Sequence, residues 1–172
     1  MKTIVVDKLP RIIKAKKKLE DSLNIKITNR GKEIQIKGTP EQEYTTEKII
    51  EALDFGFPVS SALSIKEQDN VFEVLSIKNY TTRQDLERIR ARIIGTKGKT
   101  LKTLSQLTNC DFEIKGNEIG IIGSPELMQN AQNAVISLIK GTKQSNIYAY
   151  LEKHRPEPIL DLGLKPLKKK KN

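Results

Sequence analysis

Two spacings of apolar residues alternate along this chain, and their order predicts its elements. Phe72 to Ile77 (FEVLSI) carries the β-branched and aromatic residues of a strand. From Gln84 to Ile94 the spacing changes: Leu86, Ile89 and Ile93 fall at i, i+3 and i+7 while Arg88 and Arg92 share another face, which predicts an amphipathic helix. Lys99 to Thr108 predicts a second, short helix with Leu101, Leu104 and Leu107 inward. CDFEI and EIGII then alternate as strands around Gly116-Asn117, a pair suited to a two-residue hairpin turn. Ser124, ahead of Pro125 and Glu126, is placed to cap a helix whose Leu127, Ala131, Ala134, Val135, Leu138 and Ile139 form one stripe, with Gly141 ending it.

The same succession occurs earlier in the chain. NIKITNRGKEIQIKGTPE, from Asn24, lies without a gap over NCDFEIKGNEIGIIGSPE, from Asn109, so that Asn24, Gly31, Ile34, Ile36, Gly38 and Pro40 each find an identical residue 85 positions on. The first copy is expected to supply a strand at TIVVD, a helical stretch from Leu9 to Leu23, strands at Asn24–Thr28 and Glu33–Lys37, and a helix from Glu41 to Asp54. GFPVSSALSIKEQDN reads as a short connecting helix after Phe57-Pro58, followed by a polar turn. The economical way to bury these stripes is an α+β fold repeated twice, each copy a three-stranded antiparallel sheet covered on one face by three helices in the order β-α-α-β-β-α. Domains are expected at 1–70 and 71–158, with a basic, disordered tail at 159–172.

Between the two helices of the second copy lies IIGTKGKT, Ile93 to Thr100. Its GKT ending resembles a nucleotide-binding P-loop, but that pattern needs a glycine at 93, which is isoleucine, and a strand where a helix is predicted. As a tight helix–helix connection, Gly95-Thr96-Lys97-Gly98 makes a different kind of site. The amides opening the second helix face the turn at the positive end of the helix dipole, the two glycines leave room for a sugar-phosphate chain, and Lys97 and Lys99 add charge. That element order with a GxxG turn matches the KH domain, in which GxxG holds the backbone of about four nucleotides. The first copy has no such turn. Ile12-Ile13 aligns with Ile93-Ile94 at a separation of 81 rather than 85, and IIKA passes into KKKLED without glycine.

Charge narrows the partners. The chain has a formal net charge of +10 over 172 residues, which favours polyanions. Between Tyr80 and Thr103 seven basic residues face two acidic ones, so Arg88, Arg90, Arg92, Lys99 and Lys102 are candidate phosphate contacts around the turn, and Ile94 is a candidate for the apolar floor on which bases lie. Lys8, Arg11, Lys14, Lys16, Lys17 and Lys18 form a second basic group, suited to auxiliary phosphate contacts, and LKPLKKKKN a third. No apolar run reaches the roughly 18 to 20 residues of a membrane span, and MKTIVVDKLPRIIK has no signal-peptide core, so a cytoplasmic location is expected. One cysteine, Cys110, and one histidine, His154, leave no disulfide, zinc cluster or Cys/His pair, and neither metal nor cofactor is called for.

The connector GFPVSSAL, the strand VFEVLSIKNY, the basic entry LERIRARIIGTKGKT, GIIGSPE and the closing IKGTKQSNIYAYLEKHR together closely resemble the archaeal ribosome-biogenesis KH proteins. These are counterparts of the eukaryotic partner-of-Nob (Dim/Pno) proteins and more distant relatives of the KRR-type factors. The resemblance implies two tandem type I KH domains, the first degenerate, with Gly95 to Gly98 as the RNA clamp. It also implies binding to single-stranded small-subunit ribosomal RNA near its 3′ end, no catalysis by the chain itself, and the maturation endonuclease and the alpha subunit of translation initiation factor 2 as protein partners. Two other readings stay open: an interaction platform that recruits a nuclease or initiation factor with RNA contact secondary, and a phosphate-processing enzyme, which the missing P-loop glycine and the lack of catalytic groups disfavour.

Overall fold

The computed structural model describes residues 1–155 together with 160–161 and 165–166. In the first half β1 (Lys2–Val5), α1 (Leu9–Leu23), β2 (Lys26–Arg30), β3 (Glu33–Lys37) and α2 (Pro40–Phe55) build an antiparallel sheet of order β1-β3-β2 under two helices, and α3 (Val59–Glu67) follows. The second half repeats the sheet with β4 (Val71–Ser76), β5 (Asp111–Lys115) and β6 (Glu118–Gly123) in the order β4-β6-β5. Over it lie α4 (Leu86–Ile94), α5 (Lys99–Thr108) and α6 (Pro125–Ile139), followed by α7 (Gln144–Lys153). Two short strands, β7 (Leu160–Asp161) and β8 (Lys165–Pro166), pair with each other. Apart from these strands, the tail expected at 159–172 lies outside the described residues.

The first half departs from the expected β-α-α-β-β-α order. One unbroken helix, α1, stands where the second half has α4, a turn and α5. Ile12, Ala15, Leu19 and Leu23 bury a single stripe along it, and no glycine interrupts the backbone at Ala15-Lys16, so nothing ends the helix there. The helix that follows each hairpin also starts differently in the two halves. Thr39 caps α2 through a full box, its Oγ1 accepting from the Gln42 N–H at 3.3 Å while Gln42 Oε1 accepts from the Thr39 N–H at 2.9 Å. Ser124 holds the extended cap conformation before α6 but makes no side-chain cap bond, and Leu127 occupies the place of the glutamine.

Sheet pleating divides the second sheet into two working faces. Ile119 and Ile121 of β6, with Phe112 and Ile114 of β5, pack under α4, α5 and α6. On the reverse face, Ile122 joins the core of the first half, and Phe55, Phe57 and Phe72 form an aromatic triad with ring centroids 5.6 to 6.0 Å apart. The rings lie so close over Gly120 that a Cβ there would come within 2.8 Å of both Phe55 and Phe57. Glu113, paired with Gly120 across β5 and β6, also faces the first half. Burial pushes its carboxyl up, against the pull of the Arg11 and Lys8 charges. Lys115 pairs with Asp7 at 3.5 Å along the same seam. The first half therefore docks on the back of the second sheet, whereas the reverse face of the first sheet shows exposed Thr3, Val5 and Thr28.

Candidate nucleic-acid interface

α4 ends on Ile94, and the chain turns through Gly95 at φ 75, ψ 174, a region open in practice only to glycine. A Cβ at Gly95 would meet Thr100, coming 2.7 Å from both its Cβ and its backbone nitrogen. Thr100 is itself buried and accepts at Oγ1 from Gln144 Nε2 at 3.1 Å. Gly95 thus makes room for the protein rather than for a ligand, a correction to the expectation that both glycines open space for a nucleotide chain. Gly98 behaves as expected: a Cβ there would meet nothing within 4 Å, and its φ of +74 is left-handed, as is that of Lys97 at +56.

The turn uses part of its own donor set. The Gly98 N–H donates to Gly95 O at 3.2 Å and the Lys99 N–H to Thr96 O, closing a single 3-10 turn over Thr96–Gly98. The Thr96 and Lys97 amides take no part in it. Thr96, Lys97 and Lys99 are exposed, and the docking surface of the first half is on the opposite face of the sheet from this turn.

The candidate cations divide by position. Arg88 is exposed on α4, and Arg90 reaches across to the β5–β6 turn, where Nη1 donates to Gly116 O at 3.3 Å. The Arg90 Nε is buried without a partner, beside a cleft of about 670 Å³ running between α4 and Asn117. Ile94 is 37% exposed, and on β5 the half-buried Phe112 and Ile114 turn toward the helices. These three are the apolar surfaces available to a base on this side. Lys99 stands at the turn, and Lys102 lies one helical turn further on, next to Pro58 and Ser61 of the first half.

Arg92 does not join this group. Its guanidinium lies on the end of α6, donating to Leu138 O at 3.4 Å and also to Thr142 O, where a cation complements the negative end of the helix. That leaves it as a strut between α4 and the α6–α7 corner. None of Arg88, Arg90, Lys97, Lys99 and Lys102 forms an ion pair among the described residues, so no carboxylate neutralises them by direct contact.

Two polar residues near the turn carry no clear sequence signal. Gln144 and Tyr148, both on α7, approach from behind, and Gln144 Nε2 also donates to Arg92 O at 3.4 Å. The only hint is the placement of Ile147 and Leu151 as core residues, which turns Gln144 and Tyr148 toward α5. Elsewhere, Cys110 is buried with its thiol pushed up to about 11 by desolvation, and the exposed His154 ring stacks on Tyr150 at 4.2 Å. Among the described residues no helix is long and apolar enough to cross a membrane.

Residues 71–156 match the model for the second KH domain of PNO1, described as a eukaryotic-type KH domain, KH-domain type I. Among curated proteins the chain is similar to a KH domain-containing protein of Methanocaldococcus jannaschii, 29% identical over 147 residues that cover 81% of this chain and 65% of the relative. It is also similar to the pre-rRNA-processing protein pno1 of Aspergillus fumigatus, 28% identical over 148 residues, covering 79% of this chain and 56% of the relative. The chain thus spans less than two thirds of the length of these relatives. Among solved structures it superposes on one chain of a complex of a/eIF2alpha, aDim2p and rRNA from Pyrococcus horikoshii with a TM-score of 0.80 and 24% identity, covering 90% of this chain and 93% of that one, a likeness of fold.

Proposed function

This chain belongs to the PNO1-type KH family, and from that premise we propose that it is a non-enzymatic RNA-binding protein of pre-rRNA processing. It would act on single-stranded small-subunit rRNA near the 3′ end. The observation that carries this reading is the uncovered Gly95–Gly98 turn, which presents free cations at the junction of α4 and α5. Thr96, Lys97 and Gly98 hold the phosphodiester backbone, Gly95 sets the shape of the turn, and Lys99, Arg88 and Arg90 neutralise the flanking phosphates. Lys102 extends the basic surface toward the first half. Ile94 and the apolar edge of β5 lie under the bases.

In this reading residues 1–70 are a KH-like domain that has lost its turn, residues 71–158 are the RNA-binding KH domain, and the basic tail at 159–172 adds salt-sensitive affinity. The alpha subunit of translation initiation factor 2 is proposed as a protein partner because the neighbouring Pyrococcus horikoshii structure contains that subunit together with rRNA. The maturation endonuclease is the second proposed partner, and the cytoplasm the proposed location. Crosslinking the protein to RNA in cells and sequencing the attached fragments tests the target. Fragments should concentrate in the 3′ region of small-subunit rRNA; an even spread over cellular RNAs would contradict the proposal.

A further inference from the structure

Behind the glycine turn, on the side away from the β5–β6 hairpin, lies a second cleft of about 430 Å³ between α4, α5 and α7. Its size is in the range of clefts that hold small molecules, about 300 to 1,000 Å³. Thr96, Lys99 and Tyr148 line it, and no aspartate or glutamate does. The walls are fixed before any ligand arrives. Gln144 Nε2 bridges Arg92 O and Thr100 Oγ1, Thr103 Oγ1 donates to Lys99 O at 2.9 Å, and Arg92 anchors α4 to the end of α6. Within this frame the Thr96 hydroxyl, the Lys99 ammonium and the Tyr148 phenol have no protein partner among the described residues.

We propose that this cleft receives the base of one nucleotide adjoining the segment held by the turn, with the Tyr148 ring as its stacking surface and Lys99 on its phosphate. A half-buried aromatic ring beside uncompensated positive charge is the combination that holds unpaired bases, because the ring takes any base face while the cation tracks the backbone. The cleft shares Gly95, Thr96 and Lys99 with the turn, so a strand leaving the clamp meets it at once. This inference rests on the reading of Gly95–Gly98 as the clamp. It makes α7 part of the RNA site.

The test compares single-stranded RNAs of four and six randomised nucleotides on the full chain, with 2-aminopurine placed at either end of the longer one. The longer RNA should bind at least about fivefold more tightly, with 2-aminopurine quenched at one end only. Tyr148→Leu should remove the quenching and that gain while leaving the four-nucleotide affinity unchanged, and Tyr148→Phe should bind as the wild type does. Should Tyr148→Leu fail to fold, 4-thiouridine at the same end should crosslink to α7 of the wild-type chain. Equal affinity for both lengths, unaltered quenching in a folded Tyr148→Leu chain, or crosslinks confined to α4 and β5 would overturn the inference. Failure of the four-nucleotide RNA itself to bind would instead overturn the clamp on which it rests.

Discussion

A side chain on Gly95 would be pressed into Thr100, so Gly95→Ala should cost about 2 kcal/mol or more through backbone strain and the clash together. Gly98 faces open space, and Gly98→Ala should cost only about 1 kcal/mol, the penalty of a left-handed alanine. Chemical denaturation of the two variants measures the difference, and equal losses would mean that the contact with Thr100 carries no weight. The spacing that identified the turn could not separate these roles, because it says nothing of what lies across it. Arg92 shows the same limit: counted with its neighbours as a phosphate contact, it is engaged by carbonyls 46 and 50 residues later in the chain. Asn24 and Asn109 were legible as a matched pair in the repeat but not for their reason. Both end a helix in the left-handed conformation, at φ 52 and φ 54, before the strand begins.

At the scale of elements the apolar periods carried most of the information. α1, α5 and β3 have the bounds that the sequence predicts, because buried residues such as Leu19, Leu104 and Ile36 anchor each period to one face. α4 begins two residues later than expected, at Leu86, because Asp85 at its N-cap has left the helical backbone conformation, with φ -82 and ψ 56. The β-α-α-β-β-α order expected of both copies fails in the first, where the helical stretch read at Leu9 to Leu23 is one continuous helix standing in place of two. Capping distinguishes the two copies in a measurable way. Thr39→Ala, which removes the box on α2, should destabilise the protein by about 1 kcal/mol, whereas Ser124→Ala should change little. Thermal unfolding of both variants checks this, and a larger loss for Ser124→Ala would contradict it.

For the molecule as a whole, the decisive arrangement is which sheet face the two halves share. The first half packs mainly on the back of the second sheet and meets α5 only near Lys102, leaving the α4–α5 turn uncovered. The repeat contained a trace of this, since Gly120 stands where the first copy has Gln35, but only the Phe55 and Phe57 rings packed against it give that glycine its meaning. Phe57 is fully buried at this junction, and Phe57→Ala should cost about 3 to 5 kcal/mol in denaturant unfolding. A loss below about 1 kcal/mol would mean that the halves do not depend on the triad.

The central claim is that the Gly95–Gly98 turn grips a sugar-phosphate chain. Its most direct test is the affinity of the full chain for single-stranded RNA across a salt series, with and without the paired change Thr96→Asp and Lys97→Asp. For the wild type, log affinity should fall with log salt at a slope of about 0.7 per phosphate contact, and the double variant should bind about tenfold or more weakly with a shallower slope while keeping its fold. Unchanged affinity and slope in a folded double variant would contradict the account.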